Sequence, residues 1–179
     1  IREQAAAVAV VEVPVARIDD PDTDMNELTV AAHADALGET LESGETDTGG
    51  DGERTDSDAD IAYLDAADTN AVRFERRVGE RVAVPVDLRA EHGADENYAV
   101  VSAASIVAKV ERDAHVAALA TEYGNLGSGY PGDPTTRDFL RAFVREHGYL
   151  PDCARESWQT SQDVLADLGQ ASLSEFIDR

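Results

Sequence analysis

The chain has 179 residues, enough for one domain with a hydrophobic core, and its apolar share of 42% predicts that it folds. On its own, its formal net charge of −22 argues against nucleic-acid binding, and it is typical of a surface adapted to high salt. One cysteine excludes an internal disulfide, and no apolar run reaches the ~20 residues of a membrane span, so we expect a cytoplasmic protein.

The first predicted element is a largely buried strand at residues 5–15, an apolar run that ends near Pro14. The chain begins at Ile1 without a methionine and leads straight into this run, so we expect it to be a fragment of a longer polypeptide. A helix is predicted next, from about Asn26 to Leu37, after a turn rich in capping residues.

Residues 38–60 have a low-complexity composition with nine acidic residues and one arginine. A segment of this kind cannot bury a core, because it has too few apolar side chains. We therefore expect a flexible acidic insertion on the surface, without chemistry of its own.

A strand–helix–strand pattern follows the insertion. Ile61–Asp65 predicts a short strand, residues 70–82 a helix, and residues 82–88 the next strand. This order is typical of a βαβ unit in an α/β fold. Because strand ends in such folds often face the ligand crevice, Asp65 is a candidate site residue.

A long helix is predicted from Ser102, as N-cap, to Tyr123. The apolar residues that we expect to pack against the sheet are Ala103, Ile106, Val107, Val110, Ala114, Ala117 and Ala118. Ser105, Lys109 and Arg112 share the opposite side of this helix. Lys109 is the only lysine in the chain, so this side is either a phosphate-binding surface or a solvated helix face.

The rest of the chain predicts a glycine-rich loop at residues 124–134 and two further helices. Asp133-Pro134 is a helix start, with the helix running to about His147, and a last helix is expected at residues 161–169 within a C-terminal helical segment at 157–179. Arginines recur every four residues on the first of these helices, at Arg137, Arg141 and Arg145. This stripe either contacts a phosphate backbone or pairs locally with acidic neighbours.

Asp65 and Asp95 are the strongest candidates for chemistry, because two convergent carboxylates suit a hard divalent cation such as Mg²⁺. Spacing alone equally allows each aspartate to cap the helix that follows it. Asp68 and Asp113 compete with them, although Asp113 lies deep in a helix beside Arg112, which favours a structural role. Tyr130, in the glycine-rich loop, is either a stacking platform for a base or sugar or a packed turn residue.

Taken together, these segments resemble ribonuclease HII of the archaeal type, without the N-terminal part of that family's domain. The resemblance lies in five stretches that occur in the family's order over about a hundred residues. They are YLDAAD at 63–68, AEHGAD at 90–95, VSAASIVAKVERD at 101–113, GSGYPGDP at 127–134, and SW at 157–158. The acidic insertion and the scarcity of lysine resemble a halophilic version.

The resemblance implies a single α/β domain over residues 1–179 with an RNase H-like fold, in which helices flank a central mixed sheet. It implies an endonuclease that cleaves the RNA strand of RNA–DNA hybrids, or ribonucleotides embedded in duplex DNA, leaving a 5′-phosphate and a 3′-hydroxyl. The family holds Mn²⁺ or Mg²⁺ with four carboxylates, the third and fourth of which align with Asp65 and Asp95. Tyr130 aligns with the tyrosine that stacks at the ribose–deoxyribose junction, and Lys109, with Ser105 and Arg112, is expected to contact phosphate.

The family's first two carboxylates and its glycine-rich element would lie before Ile1, so we expect the chain as given to be inactive or impaired. We also expect a monomer. Two other functions stay open: a non-catalytic hybrid-binding module that uses the arginine stripe and Tyr130, and an acidic domain that binds only divalent ions.

Overall fold

The computed structural model describes residues 1–45 and 61–177, and it confirms an α/β fold with helices beside a small parallel sheet. Two compact units are present: Ile1–Val13 with Thr23–Lys109, and Pro14–Asp22 with Val110–Arg179. The elements in chain order are α1 Val15–Ile18, α2 Met25–Glu45, β1 Ile61–Asp65, α3 Ala71–Gly79, β2 Asp87–Glu91, α4 Ala94–Asn97, α5 Ala99–Tyr123, α6 Pro134–His147 and α7 Gln159–Ile177. In the described residues, no helix is both long and apolar enough to span a membrane.

The sheet of the first unit consists, within the described residues, of β1 and β2 in parallel, with Ile61 opposite Asp87 and Asp65 opposite Glu91. The intervening α3 makes this the predicted βαβ unit. The second strand, however, is Asp87–Glu91, which overlaps the predicted residues 82–88 only at their last two positions. Pro85 explains the shift, because proline has no N–H to donate to a neighbouring strand.

The core of the first unit lies between the sheet and the helices α2 and α3. Its buried residues are Val30, Ala34, Leu64, Phe74 and Val78. Helix α3 begins close to the predicted position but ends at Gly79, and Asn70 caps it: the Asn70 side chain accepts a hydrogen bond from the Arg73 N–H at 2.9 Å. The apolar spacing of Phe74 and Val78 places both on the buried side of this helix.

The core of the second unit is formed by α6 and α7, with Leu140, Val144 and Val164 buried. The predicted start of α6 is confirmed: the Asp133 carboxylate accepts the Thr135 N–H at 2.9 Å and Pro134 is the first helical residue. Gly148 ends the helix at φ 82°, a conformation that glycine adopts without strain.

The early segment Pro14–Asp22 belongs to the second unit, where Asp19 ties it to a turn far along the chain. The Asp19 carboxylate accepts the backbone N–H of Glu156 at 2.6 Å and that of Ser157 at 3.1 Å. It also accepts the Ser157 hydroxyl. This contact has no local sequence signal, because its partners are 138 residues apart.

The predicted strand at residues 5–15 is wrong. Within the described residues no strand precedes β1, none of these eleven residues is buried, and α1 begins at Val15. An apolar run forms a buried strand only where another strand pairs with it, and the described sheet offers no such partner to this run. Helix α2 continues to Glu45, so residues 38–45 of the predicted insertion are helical, whereas 46–60 lie outside the described residues.

Helix α5 begins at Ala99, which places Ser102 inside the helix and not at its N-cap. Of the residues predicted to pack against the sheet, Val107 is buried, but Ile106 and Val110 are 48% and 60% exposed. A sheet of two five-residue strands is too narrow to cover a face of this 25-residue helix. The last helix, α7, is longer than predicted.

Candidate active site

Asp65 lies at the carboxyl end of β1, and hydrogen bonds to one of its two carboxylate oxygens hold the side chain in place. Its Oδ1 accepts the backbone N–H of Gly93 at 3.0 Å and that of Ala94 at 3.3 Å. Gly93 has φ 67°, which glycine adopts without strain and which turns both N–H groups toward β1. In the described part of the chain, Oδ2 of Asp65 accepts no hydrogen bond, so it is open to a ligand.

Asp95 follows directly after Ala94, in the single turn of α4. Ala94 is fully buried and Asp95 is half-buried. Among residues 1–45 and 61–177, nothing donates a hydrogen bond to the Asp95 carboxylate or forms an ion pair with it. Because the Ala94 N–H is bonded to Asp65, the structure brings the two predicted site aspartates to the same end of β1.

Asp65 does not cap α3, the helix that follows it, because the N-cap of α3 is Asn70. Asp68 has the structural role: it is buried and accepts the Arg73 Nε–H at 2.9 Å and the Asn70 N–H at 3.2 Å. The Arg73 hydrogen bond, supported by Asn70, holds the pKa of Asp68 at about 2. Asp113 forms an ion pair with Arg112 at 3.0 Å, the contact that its helix position predicted.

Two pairs of residues beside the aspartates were not predicted from the sequence. The rings of Tyr63 and Tyr98 stack with their centroids 3.9 Å apart. Asn97 Nδ2 donates a hydrogen bond of 2.7 Å to Oε1 of Glu91, the residue opposite Asp65 in the sheet. The position of Glu91 at a strand end was the available signal, and the strand predicted at residues 82–88 concealed it.

The chemistry of Asp65 and Asp95 fits a hard divalent cation. Carboxylate oxygens are the ligands that Mg²⁺ and Mn²⁺ prefer, and Mg²⁺ is commonly bound by one or two carboxylates together with substrate phosphates. In the described residues, no group of three or more His, Cys, Asp or Glu side chains is placed to hold a metal. The pair is therefore suited to an ion that gains further ligands from elsewhere.

The glycine-rich loop, residues 124–133 of the second unit, presents Tyr130 with 56% of its surface exposed. The guanidinium carbon of Arg112 lies 4.0 Å from the centre of the Tyr130 ring, and Arg112 Nη2 donates to the Ser128 carbonyl at 2.5 Å. Asp133 Oδ2 accepts the Ser128 N–H at 2.6 Å. Tyr130 is thus an exposed ring on an ordered loop and not a packed turn residue.

The hydroxyl of Thr136, in the first turn of α6, bridges two backbone groups of the same loop. It donates to the Leu126 carbonyl at 2.7 Å and accepts the Gly129 N–H at 3.0 Å. Gly127 has φ 68°, and a Cβ there would lie 2.6 Å from the Asp133 carboxylate. These contacts leave the loop little freedom.

The other residues predicted to contact phosphate differ in exposure and in local partners. Lys109 is exposed on α5, and Ser105 is half-buried one turn earlier. On α6, Arg141 pairs with Asp138 at 3.2 Å and Arg137 Nε donates to the Pro131 carbonyl at 2.6 Å, so part of the stripe is engaged locally. Lys109 belongs to the first unit and Arg112 to the second.

Residues 52–161 match the family model for ribonuclease HII. The chain is 58% identical to ribonuclease HII of Halobacterium salinarum over 170 residues, 94% of this chain and 73% of the relative. It is 52% identical to ribonuclease HII of Haloarcula marismortui over 176 residues, 98% of this chain and 76% of that relative.

Two solved structures are similar to the chain at 31% identity. The crystal structure of ribonuclease H2 from Pyrococcus horikoshii aligns with a TM-score of 0.74, over 89% of this chain and 69% of that one. The ribonuclease HII of Archaeoglobus fulgidus, solved as a complex with PCNA, aligns with a TM-score of 0.69, over 86% of this chain and 66% of that one.

Proposed function

The chain belongs to the ribonuclease HII family, which cleaves the RNA of RNA–DNA hybrids endonucleolytically, and we propose that Asp65 and Asp95 carry this chemistry here. The observation that supports this assignment is the bonding of Asp65 Oδ1 to the amides of Gly93 and Ala94. That bonding fixes the carboxylate of Asp65 beside the backbone of Asp95 and leaves its second oxygen open.

Asp65 and Asp95 would hold Mg²⁺ or Mn²⁺, with the substrate phosphate as a further ligand. When bound, such ions activate the attacking water and stabilise negative charge on the phosphate and the leaving oxygen. The residues of the chain supply the positions: the two amides orient Asp65, and the single turn of α4 presents Asp95.

In the proposed hydrolysis, the water oxygen bonds to phosphorus while the bond from phosphorus to the 3′ oxygen of the preceding nucleotide breaks. The 3′ oxygen gains a proton, so the products carry a 5′-phosphate and a 3′-hydroxyl. The same step applies to a single ribonucleotide embedded in duplex DNA. The proposal thus includes cleavage of both RNA–DNA hybrids and single embedded ribonucleotides, and the use of two metal ions.

Tyr130 is proposed to stack on the sugar at the ribose–deoxyribose junction of the substrate. Its exposure and the Arg112 guanidinium beneath its ring support this role, because an aromatic ring held in place loses less conformational freedom on binding. Lys109 and Ser105 on α5, and Arg112, are proposed contacts to the phosphate backbone. A monomer in the cytoplasm of a halophile is the setting that the composition favours.

Cleavage of a labelled DNA duplex with one embedded ribonucleotide, with Mg²⁺ or Mn²⁺ at high KCl, tests the assignment. The assay uses the chain and a chimera that carries the N-terminal residues of the Halobacterium salinarum protein before Ile1. The chimera is included because the chain covers 73% of the length of that relative. Asp65→Asn and Asp95→Asn should each lower the cleavage rate by more than about 100-fold. Substitution of a residue that only orients a metal ligand typically costs roughly 10–100-fold.

Asp87→Asn is the matched control, because Asp87 lies at the opposite end of β2 from the site and is exposed. The assignment is wrong if the chimera nicks the duplex and either site variant retains full activity. Binding of the duplex without nicking by the chimera would instead favour the hybrid-binding module. The exposed Tyr130 ring, which packs on the half-buried Arg112, is the observation that keeps that second function in consideration.

A further inference from the structure

We propose that Glu91 and Asn97 form a clasp whose function is to position Asp95 for the cation. This inference depends on the proposed role of Asp65 and Asp95. It adds two residues that neither bind the ion nor touch the substrate in the proposed mechanism. The clasp is the hydrogen bond of 2.7 Å from Asn97 Nδ2 to Glu91 Oε1.

The first step of the argument is that α4 cannot hold its own conformation. It has four residues, no side-chain cap and a glycine at φ 67° before it. One helical turn in isolation is unfavourable, because several dihedral angles are fixed for a single hydrogen bond. The position of Asp95 therefore depends on ties between α4 and the rest of the first unit.

The second step is that the segment 91–97 is tied at its start, middle and end. At the start, the Ala66 N–H donates to the Glu91 carbonyl at 2.9 Å. In the middle, Asp65 Oδ1 accepts the N–H groups of Gly93 and Ala94. At the end, the Asn97 side chain returns to Glu91, which closes the segment into a ring.

The third step is that Asp95 lies between the middle tie and the end tie. The middle tie fixes the entry into α4, but it leaves the direction of the turn open. The Asn97–Glu91 bond fixes that direction together with the stacking of Tyr98 on Tyr63 of β1, because Glu91 is held in register opposite Asp65 by the sheet. The clasp thus fixes the position of Asp95 relative to the strand end that carries Asp65.

Glu91 acts in this scheme as an anchor. Its Oε1 is occupied by Asn97, and in the described residues no third carboxylate joins Asp65 and Asp95 in a group placed to hold a metal. A hydrogen bond to a charged acceptor is stronger than one between neutral groups. The carboxylate of Glu91 is therefore a suitable acceptor for the side-chain hydrogen bond that holds the end of α4.

Amide hydrogen exchange in the ¹⁵N-labelled chain tests the clasp without any metal. The Tyr98 N–H, which donates to the Ala94 carbonyl at 2.8 Å, reports the opening of α4. Asn97→Ala should raise its exchange rate about tenfold, as expected for loss of a hydrogen bond to a charged group. Glu91→Gln keeps an acceptor oxygen for Asn97 and should raise the rate by less than about threefold.

A Mg²⁺ titration that follows the amide shifts of residues 93–96 supplies the second readout. Asn97→Ala should weaken the apparent affinity about tenfold, within the range typical of residues that orient a metal ligand. Asn26→Ala is the matched control, an exposed asparagine on a helix of the same unit, and it should change neither readout.

The outcomes separate this inference from the proposed function. If Asp65→Asn and Asp95→Asn abolish the Mg²⁺ response while Asn97→Ala changes neither readout, the clasp is wrong and the site assignment stands. If Glu91→Gln loses as much affinity as Asn97→Ala, the charge of Glu91 acts directly and positioning is overturned. If the shifts do not respond to Mg²⁺ at all, the site assignment fails, and hydrogen exchange still decides whether the clasp exists.

Discussion

The glycine-rich loop of the second unit and the aspartate pair of the first are stabilised to different degrees. In the loop, a buried threonine, a capping aspartate and glycines at positive φ each hold the backbone around Tyr130. At the aspartate pair, Asp65 is held through one oxygen and Asp95 accepts no hydrogen bond from a described residue. The loop presents a ring on a fixed backbone, whereas the pair presents oxygens with unused bonding capacity.

The difference follows from what each region is proposed to bind. A stacking platform gains affinity from being held still, because a fixed ring loses little entropy on binding. Carboxylates for a cation must keep their oxygens free of competing protein donors until the ion arrives. Substitutions of the groups that hold the loop backbone should therefore lower stability, and substitution of Asp95 should lower function with little change in stability.

The largest effect on stability is expected from Gly127→Ala. The new Cβ would lie 2.6 Å from Asp133 Oδ2 and 2.9 Å from the Thr136 nitrogen, at φ 68°. Strain and overpacking together should lower the free energy of unfolding by about 3 kcal/mol, measured by urea unfolding. Gly124→Ala separates the two causes, because its φ is 82° and its Cβ would meet no atom within 4 Å. That control should lose about 1 kcal/mol.

Thr136→Val should have the next largest effect. The change keeps the shape of the side chain but removes the hydroxyl that satisfies the Leu126 carbonyl and the Gly129 N–H. Because Thr136 and Leu126 are buried, the free energy of unfolding should fall by about 2 kcal/mol. Thr121→Val removes an exposed hydroxyl in the same unit and should stay within about 0.5 kcal/mol of the parent. Equal losses in the two variants would contradict the buried bridge.

A smaller effect should appear on acidification. The Ser128 N–H, and after it the Thr135 N–H, hold the pKa of Asp133 at about 2, below its ordinary value of 3.8. Because the folded state favours the ionised carboxylate, its contribution is complete above the ordinary value and is lost as the pH falls from about 4 to about 2.

Urea unfolding across that pH range should show a steeper loss of stability in the parent than in Asp133→Asn. Asp68, whose pKa is also about 2, is present in both proteins and cancels from the difference. Parallel pH profiles for the two proteins would mean that Asp133 titrates alike in the folded and unfolded chains.

The smallest effect on stability is expected from Asp95→Asn, although its effect on cleavage should be large. Asp95 accepts no hydrogen bond within the described chain, so its free energy of unfolding should stay within about 0.5 kcal/mol of the parent. Thermal unfolding followed by circular dichroism measures this directly. A loss above about 1 kcal/mol would show that Asp95 contributes to packing, and the contrast between the two regions would fail.

Sequence patterns predicted elements where the signal is local. The strand Ile61–Asp65 and the start of α6 at Asp133-Pro134 were correct, because alternation and capping depend on residues only a few positions apart. The run at residues 5–15 failed because a strand needs a partner that the run itself does not specify. The start of β2 was misplaced because the apolar residues before Pro85 look like strand but cannot complete a ladder.

The candidate site was predicted in part. Asp65 and Asp95 follow from strand ends, from the chemistry of carboxylates and from the family resemblance, and their shared location is seen in the structure. Glu91, Asn97 and the Tyr63–Tyr98 stack depend on side-chain directions and on the register of β2, which periodicity does not give. The tie between Asp19 and Ser157 is further from prediction, because no local pattern links residues so distant in sequence.

That tie has a consequence for how the chain acquires its structure during synthesis. Asp19 is made before the backbone groups that its carboxylate binds, because those groups follow 137 and 138 residues later. At typical elongation rates the interval is on the order of ten seconds, far longer than the time in which a helix forms. Throughout that interval Pro14–Asp22 lacks these partners, so the second unit cannot be completed before residues 156 and 157 have been made.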